Sequence, residues 1–283
     1  MKSEDVDKWI DVMQEEKSSL ESQGVWEVYD ITNLLKDRKA IGSHWVYTVK
    51  LLEDGSIERY KAHLVVKGFS QISGIDFSET FAPVTRYDSL CLLTALAALH
   101  NLDTAQLDVK SAFTYGPLDE EIWVAPPPRL GLDNKVLLLK KALYGLKQAP
   151  LQWYRKLCSV LAERHFIPTH FDPCVFISTK SNILMAVYID DIAIVGKTSI
   201  LKKLIKFLQT HFKVTVKGTL SFMLGIEIQH HTDAITLGQQ LYIQQILQHF
   251  GMEQSRPVWI PIDPKSQLHK ATDDELPVDQ NLY

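Results

Sequence analysis

Two adjacent carboxylates between hydrophobic runs are the strongest chemical signal in the sequence. Asp190 and Asp191 follow the apolar run Ile183–Ile189 and precede Ile192–Val195. A tight turn between such runs normally uses Asn-Gly or Asp-Gly, which tolerate positive φ. Two carboxylates repel one another there and add nothing to packing. They suit a hard divalent cation such as Mg²⁺, which prefers oxygen donors and is held together with substrate phosphates. The alternative is a solvated acidic turn.

A third carboxylate comes 82 residues before Asp190. Asp108 lies near the end of Thr104–Val109, which we expect to be a short strand, and small residues and the aromatic Phe113 follow it. Any Asp can end a strand, so this signal is weak by itself. Three carboxylates at one sheet edge could nevertheless hold two metal ions roughly 4 Å apart, the arrangement used for in-line displacement at phosphorus.

The segment 143–154 (LYGLKQAPLQWY) combines features of a nucleotide or nucleic-acid site. Gly145 allows close approach of the backbone to a ligand, and Lys147 can meet a phosphate. Three aromatic side chains offer flat faces for stacking on a base or sugar: Tyr144, Trp153 and Tyr154. The alternative is that this segment is an aromatic helix start that packs on the core.

The distribution of charge also favours a polyanionic partner, although the net charge is −4. Residues 1–30 carry nine acidic and three basic residues, and residues 263–283 carry five and two. The remaining residues 31–262 therefore have a net charge of +5. Within them, 135–162 and 192–226 each contain six Lys or Arg and no acidic residue. These stretches are either solvated helix faces or parts of a positive groove for a phosphate backbone.

The mixture of elements predicts an α+β protein with an antiparallel sheet, because strands and helices do not alternate regularly. Strand-like runs at Ser43–Lys50 and Ile57–Val66 flank an Asp-Gly pair, a strong hairpin signal. Leu220–Gln229 is again strand-like. The helices are expected at residues 3–22, 88–100, 151–166, 200–212 and 239–250.

Length and composition exclude several classes of protein. The 283 residues, 46% of them hydrophobic, are enough for one large domain or two modest ones. The longest apolar runs are too short to span a membrane. The polar start is neither a secretory nor a mitochondrial leader, so we expect an intracellular protein, in the cytoplasm, in a virus-like particle or in the nucleus. The scattered cysteines Cys91, Cys158 and Cys174 argue for reduced thiols and against a zinc site.

Together the three motifs resemble the reverse transcriptase domain of copia-type LTR retrotransposons. YIDD at 188–191, QLDVKSAF at 106–113 and LYGLKQAPLQWY at 143–154 each match a motif of that family. Further matches follow in the family's order: GVWEVYD, HWVYTVK, RYKAHLVVKGFSQ, GIDFSETFAPV, FDPCVF and FMLGIEI. The resemblance extends from about Trp9 to about Pro264.

This resemblance implies a right-hand polymerase fold, with fingers, an antiparallel palm sheet and a partial thumb. It implies RNA-directed DNA polymerase activity, in which a dNTP is added to a primer 3′-hydroxyl on an RNA or DNA template. Asp108, Asp190 and Asp191 would be the catalytic palm carboxylates that bind two Mg²⁺ ions, with Mn²⁺ as a substitute. Catalysis would rest on positioning and charge stabilisation, with no covalent protein intermediate.

The resemblance also assigns residues to the two substrates. Phe113 would be the gate against a ribose 2′-hydroxyl. Arg59 and Lys61, on the fingers hairpin, would reach the triphosphate. The remaining nucleotide-binding residues would be Tyr144, Gly145 and Lys147, and the primer or template would be bound by Tyr188, Leu224, Gly225 and Ile226. The Lys-rich stretch 197–217 would lie near the template–primer duplex.

One residue departs from the family's hairpin motif, which usually reads K-A-R-L-V. Here His63 stands at the arginine position. Arginine is always charged and bidentate, whereas histidine is mostly neutral near pH 7. If that arginine contacts the triphosphate, nucleotide affinity should be lower in this chain.

The resemblance divides the chain into three parts. We expect a charged helical lead-in at 1–24, the reverse transcriptase domain at 25–262 with a short thumb-like part from about 239, and an acidic tail at 263–283. The family's RNase H and integrase domains are expected to be absent from this chain, and the oligomeric state is undetermined. One alternative is a catalytically silent retroelement remnant that at most binds nucleic acid. A palm that serves a nucleotide cyclase or a two-metal nuclease is another, and the motifs around Tyr144 and Gly225 argue against it.

Overall fold

A computed structural model describes residues 5–34, 38–51 and 56–260, with only the backbone of Leu51 included. The chain divides into two compact units, Met1–Leu220 and Ser221–Tyr283. The expected acidic tail at 263–283 and the Asp-Gly turn of the predicted hairpin lie outside the described residues. The three-part division proposed from the sequence stays a prediction.

Helices and antiparallel strands are mixed along the described chain. The helices are α1 (Val6–Ser22), α2 (Tyr87–Leu99), α3 (Ala149–Ala162), α4 (Thr198–His211) and α5 (Gln240–His249). The strands of the first unit are β1 (Trp26–Asp30), β2 (Ser43–Leu51), β3 (Ile57–Val66), β4 (Asp103–Val109), β5 (Pro117–Val124), β6 (Lys135–Lys141), β7 (Phe166–Pro168), β8 (Val175–Ser178), β9 (Leu184–Tyr188), β10 (Asp191–Gly196) and β11 (Val214–Gly218). The second unit contains β12 (Phe222–Met223), β13 (Ile226–His230) and β14 (Ile235–Gly238).

A six-stranded antiparallel sheet, here called the central sheet, forms the middle of the first unit. Its strand order is β11-β4-β10-β9-β8-β7. Ile192, Ala193, Ile194 and Val195 of β10 are all fully buried, which explains why this strand is a continuous apolar run instead of an alternating one. The helix α2 packs against β9 and β10, and α4 packs against β4, β10 and β11.

A second hydrophobic core joins the remaining elements of the first unit. It includes Leu20 of α1, Leu64 and Val66 of β3, and Leu143 of the LYGLKQAP segment, and it packs under the β1-β6-β5 sheet. The strands β2 and β3 form a separate two-stranded hairpin, and α1 lies against β3. The segment that carries several predicted nucleotide-binding residues is therefore anchored to the base of this hairpin.

The second unit is a small antiparallel sheet, β12-β13-β14, followed by α5. Leu224 and Gly225 adopt positive φ values of 55° and 76° and form the turn between β12 and β13. A groove of about 480 Å³ within this unit is lined by Phe222, Leu224, Gly225, Gln239, Leu241, Tyr242 and Gln245.

The predicted α+β class with antiparallel sheets is confirmed, and each expected helix is present with shifted ends. The largest shift is at α3, which ends at Ala162, because His165 adopts a positive φ of 58° and the chain then enters β7. Leu220–Gln229 is not one strand, since the turn at Leu224 and Gly225 divides it. None of the described helices is both long and apolar enough to cross a membrane.

Candidate active site

Strand register brings the distant carboxylates together. In the antiparallel pairing of β4 with β10, Asp108 lies directly opposite Asp191. The amide N–H of Val109 donates to the carbonyl oxygen of Asp190 at 2.9 Å, just beyond the last ladder pair. The central sheet thus holds carboxylates from positions 108, 190 and 191 near one end of the same two strands.

The turn that carries Asp190 is tight and strained. Tyr188 of β9 pairs with Asp191 of β10, so Ile189 and Asp190 form a two-residue hairpin turn. Ile189 has a φ of 55°, a left-handed conformation that is a genuine outlier for a β-branched residue. The indole N–H of Trp153 donates to the carbonyl oxygen of Ile189 at 2.7 Å. The surroundings therefore hold the turn in a shape that its own sequence disfavours.

Lys217 supplies the positive charge between the paired carboxylates. Its ammonium nitrogen lies 2.9 Å from Asp108 Oδ1 and 3.1 Å from Asp191 Oδ1. The register of β11 against β4 shifts between Val216 and Gly218, where Lys217 lies. Burial lowers the pKa of Lys217, but its hydrogen bonds to Asp108 and Asp191 outweigh that effect and raise the pKa overall.

Asp190 is poorly suited to carry its charge in this arrangement. Burial raises the pKa of Asp190 above its ordinary value, and the negative charges of Asp191 and Asp108 act in the same direction. A backbone hydrogen bond and the Lys217 charge oppose the shift without cancelling it. The site therefore has an excess of negative charge that an added cation would relieve.

The carboxylate pair fits a divalent cation in its donor chemistry. Asp108 and Asp191 both direct an oxygen at one positive centre, the Lys217 ammonium, and hard divalent cations prefer carboxylate oxygens. Within 5–34, 38–51 and 56–260, no group of three or more His, Cys, Asp or Glu residues forms a ready metal cluster. The described geometry thus provides a candidate cation seat, meaning a binding site formed by the carboxylates of Asp108 and Asp191. Asp190 is the residue that precedes Asp191 along the chain.

Aromatic rings line the side of the site next to the β2–β3 hairpin. The rings of Phe113 and Tyr144 meet edge to face with centroids 4.8 Å apart, and the His63 ring lies 5.1 Å from Tyr144. Burial raises the pKa of the Tyr144 hydroxyl, and the charges of Asp190, Glu16 and Asp108 raise it further. Tyr144 therefore remains a neutral phenol close to the carboxylates.

The predicted triphosphate residues lie on alternate positions of β3, so Arg59 and Lys61 share one face of the hairpin with His63. Arg59 is exposed and Lys61 is half-buried. Burial lowers the pKa of Lys61, and Arg59 adds to this, whereas the charges of Glu16 and Asp108 oppose it. The hairpin therefore directs positive charge toward the Asp108 side of the site.

Gly145 makes a close approach to protein backbone. Its φ is +90°, and a Cβ built on it would lie 2.0 Å from the Val66 carbonyl oxygen. The amide of Val66 also donates to the Tyr144 carbonyl oxygen at 2.8 Å. Glycine is therefore needed at position 145 so that this segment can pack against β3. The close approach of Gly145 to a nucleotide stays a prediction.

Two glutamines that the sequence analysis missed hold the segment containing Lys147. Gln71 donates through Nε2 to Gln148 Oε1 at 3.0 Å and accepts from the Lys147 amide at 2.8 Å. Gln148 donates to the Asp76 carbonyl oxygen at 2.8 Å. The Lys147 side chain is exposed and its ammonium lies 4.7 Å from the centroid of the Phe77 ring. The backbone of this segment is thus fixed while the lysine stays accessible.

The expectation that Trp153 stacks on a base or sugar is wrong. Trp153 is only 2% exposed and packs edge to face against Phe212 in the main core. The alternative, an aromatic helix start that packs on the core, holds for this residue. Tyr154 is half-buried, and its hydroxyl donates to the Pro173 carbonyl oxygen at 3.0 Å.

The sequence analysis also did not single out Lys217 and Glu16. Each of them lies in a sequence pattern that could have indicated a role. Lys217 lies in the acid-free stretch 192–226, which we interpreted as solvated helix faces or as part of a groove for a phosphate backbone, without a role for any single lysine. Glu16 lies three residues after Met13 and four before Leu20, both buried, so helical spacing places it on the packed face of α1. An acidic residue on a packed helix face is unusual and calls for a partner.

Comparisons with known proteins identify the family of the chain. The family described as reverse transcriptase (RNA-dependent DNA polymerase) matches residues 26–264. The chain is 38% identical over 267 residues to the retrovirus-related Pol polyprotein from transposon TNT 1-94 of Nicotiana tabacum, covering 91% of this chain and 20% of that protein. It is 37% identical over 242 residues to the Pol polyprotein from transposon RE2 of Arabidopsis thaliana, covering 82% and 16%. The chain therefore spans about a fifth or less of the length of these relatives.

A solved structure, the foamy viral protease-reverse transcriptase dRH in complex with double-stranded DNA, aligns with 83% of this chain and 36% of its own, at 16% identity and a TM-score of 0.46. The family match covers most of the chain, and the paired carboxylates lie within it. On this evidence the chain belongs to the reverse transcriptase (RNA-dependent DNA polymerase) family, in the part that copia-like Pol polyproteins of plants share.

Proposed function

We propose that this chain is the RNA-directed DNA polymerase domain of a retrotransposon polyprotein, and that it transfers a nucleotide from a dNTP to a primer 3′-hydroxyl. The observation that carries the proposal is the direct pairing of Asp108 with Asp191, with a cationic group within 3.1 Å of both carboxylates. Such a seat suits a reaction in which negative charge accumulates on phosphate oxygens.

The proposal includes two Mg²⁺ ions, with Mn²⁺ as a substitute. Asp108 and Asp191 would hold them, together with Asp190 from the adjoining turn. When bound, such ions lower the pKa of the primer hydroxyl and neutralise charge on the triphosphate and on the departing pyrophosphate. The Lys217 ammonium contacts Oδ1 of each carboxylate, so an ion bound through those same oxygens would displace it.

The remaining roles belong to the residues around this seat. Lys61 and Arg59 would attract the triphosphate electrostatically, with Lys147 as a further cation. Phe113 and Tyr144 would form the wall against the sugar, with Phe113 as the gate against a 2′-hydroxyl. The primer and template would be bound by Tyr188, Leu224, Gly225 and Ile226. The protein's part in the reaction is thus to bind and orient substrates, which is where polymerase catalysis obtains most of its rate.

An RNA or DNA template–primer duplex is the proposed macromolecular partner. The lysines of α4 support this, since Lys202, Lys203 and Lys206 are exposed while Leu204 faces the core. Phosphate contacts by such lysines make binding weaken steeply as salt rises. The proposed compartment is the cell interior, whether cytoplasm, virus-like particle or nucleus.

Primer extension on an RNA template tests the proposal. The purified chain is assayed with Mg²⁺ and then with Mn²⁺, beside Asp190→Asn and the matched surface variant Asp119→Asn. We expect extension by the parent chain and by Asp119→Asn, and none by Asp190→Asn. A folded parent chain that binds template–primer in a salt-sensitive manner but extends nothing would instead indicate a catalytically silent remnant. Activity that survives in Asp190→Asn would refute the assignment of the metal site.

A further inference from the structure

The first helix places a partly buried acid against the β2–β3 hairpin. Glu16 of α1 places Oε1 3.1 Å from Nδ1 of His63 on β3. The Glu16 side chain is 11% exposed and that of His63 is 21% exposed, so neither is a freely moving surface group. At this distance Nδ1 donates a hydrogen, and Glu16 thereby selects the orientation of the imidazole ring.

The helix that carries Glu16 is firmly attached to the hairpin. Trp9 packs edge to face against both Tyr47 and Tyr60, with ring centroids 5.1 and 4.7 Å apart. Met13 is buried and its sulfur accepts a hydrogen bond from the Tyr47 hydroxyl at 3.2 Å. Because a turn of helix on this face is packed, the Glu16 carboxylate has a defined position relative to β3.

The His63 ring connects Glu16 with the aromatic side chains near the carboxylates. It lies 5.1 Å from the Tyr144 ring at an interplanar angle of 36°. Tyr144 in turn meets Phe113 at 4.8 Å and 62°, and Phe113 packs against both hydrophobic cores. The Tyr144 hydroxyl is close enough to Asp190 and Asp108 for their charges to affect its pKa.

We propose that Glu16 and His63 form a positioning pair that sets the Tyr144 ring against Phe113, so that α1 takes part in nucleotide selection. The proposal rests on the proposed function, since it concerns the nucleotide wall of that same site. In this proposal the pair acts through Tyr144 and not on the reacting atoms. Loss of the pair should therefore affect nucleotide binding and sugar discrimination more than the rate of the chemical step.

A series of variants at Glu16 separates positioning from general stability. Glu16→Ala removes the acceptor, Glu16→Gln retains an acceptor without charge, and Glu15→Ala is the matched control on the exposed side of the same helix. In primer extension, we expect Glu16→Ala to raise the dNTP KM about five- to tenfold with kcat within about twofold. Discrimination against ribonucleotides should fall in parallel. In Glu16→Gln the dNTP KM should stay close to that of the parent, because an acceptor is retained. Glu15→Ala should behave as the parent.

A double-variant cycle tests whether the two residues act as one unit. His63→Gln should raise KM as Glu16→Ala does, and the combination of both should add little beyond either alone, because the second change removes an interaction already lost. Fully additive effects would overturn the pairing. An equal fall of kcat in every variant would also overturn it, because it would indicate a merely structural role.

A spectroscopic readout decides the positioning step without relying on activity. In protein with ¹³C-labelled tyrosine, the ring signal of Tyr144, identified by its loss in Tyr144→Phe, should shift in Glu16→Ala and stay in place in Glu15→Ala. An unchanged Tyr144 signal in a folded Glu16→Ala protein would overturn the inference. A parent chain that extends no primer would overturn the proposed function instead, and the Tyr144 signal would still show whether Glu16 positions that ring.

Discussion

The indole N–H of Trp153 on α3 donates a 2.7 Å hydrogen bond to the carbonyl oxygen of Ile189, in the turn that presents Asp190. Ile189 is held at a φ of 55°, and a non-glycine residue in that region costs on the order of 1–3 kcal/mol. A buried helix residue thus offsets backbone strain at the turn that carries Asp190. For this residue the sequence left two alternatives open, stacking on a base or packing in the core. The structure shows core packing, together with a hydrogen bond to the Asp190 turn.

Trp153→Phe should damage the site more than the fold. It removes the donor to Ile189 while it keeps an aromatic ring in the core, so we expect a loss of about 1–2 kcal/mol in unfolding free energy. Extension should slow about tenfold, since small misplacements of catalytic groups are costly. Trp123→Phe is the matched control, because it removes an indole hydrogen bond to Glu121 away from the turn. Equal losses of extension in both variants would contradict a special role for Trp153.

Gly145→Ala should be among the most destabilising single-methyl additions in this chain. The new Cβ would meet the Val66 carbonyl oxygen at 2.0 Å, at a φ of +90°. We expect a loss of roughly 3 kcal/mol or more in unfolding free energy, since both a steric overlap and backbone strain are introduced. Gly24→Ala is the control, because Gly24 also has a positive φ of 62° but nothing lies within 4 Å of its Cβ position. Gly24→Ala should lower the unfolding free energy by about 1 kcal/mol. Denaturant unfolding curves of both variants measure the difference.

Asp190→Asn should stabilise the metal-free protein at neutral pH. The pKa of Asp190 is raised in the folded state, chiefly by burial. The stability associated with its neutral form is therefore fully present below the unfolded pKa of about 3.9 and is lost as pH rises through the higher folded pKa. Asparagine is neutral throughout, so the melting temperature of the variant should exceed that of the parent at pH 7. The difference should vanish below about pH 4.

Thermal unfolding in EDTA between about pH 4 and pH 7 gives the melting temperatures of the parent and of Asp190→Asn. The control is Asp119→Asn, at an exposed position, and it should melt as the parent does. A variant that melts below the parent at pH 7 would contradict the predicted charge penalty at Asp190.

Lys217→Gln should make the chain depend more on divalent cations. Without the ammonium, Asp108 and Asp191 face one another unscreened, and the melting temperature in EDTA should fall by about 2–4 °C, a modest amount because the pair is partly exposed. Added Mg²⁺ should raise the melting temperature more in the variant than in the parent, since no ammonium competes for the carboxylates. Lys213→Gln, at an exposed position on the same segment, should respond as the parent does. A smaller Mg²⁺ response in Lys217→Gln would contradict this competition and would show that the ammonium keeps the two carboxylates in place for the ion.

The sequence predicted the strand that carries Asp108 and the two strands on either side of the Asp190 turn, because those strands are apolar, short and bounded by polar residues. It could not supply the register, and one residue of slippage in β4 would turn Asp108 to the other face of the sheet. Lys217 and Glu16 stayed hidden for a related reason. Their roles depend on partners 109 and 47 residues away, at Asp108 and His63, and no local pattern encodes such contacts.

The opposite error occurred at Trp153, where the local chemistry was correct in type and wrong in partner. At Gly145 the structure adds a close approach to protein backbone that the sequence did not predict. An aromatic ring can stack on a base or pack in a core, and a glycine can approach a ligand or another strand. In this chain Trp153 packs against Phe212, and Gly145 lies against Val66. Only the tertiary structure distinguishes these outcomes, since both satisfy the same local preference.

Phe113→Val tests the sugar gate directly. Phe113 is half-buried between the two cores and meets the Tyr144 ring at 4.8 Å. Truncation to valine therefore opens space beside the Tyr144 ring without adding a polar group. We expect ribonucleotide incorporation to rise about tenfold or more relative to deoxyribonucleotides, because a steric exclusion of the 2′-hydroxyl is removed. Phe113→Tyr, which keeps the ring, should retain the discrimination of the parent. Unchanged sugar selection in a folded, active Phe113→Val enzyme would remove this residue from the gate and leave Tyr144 as the ring to test next.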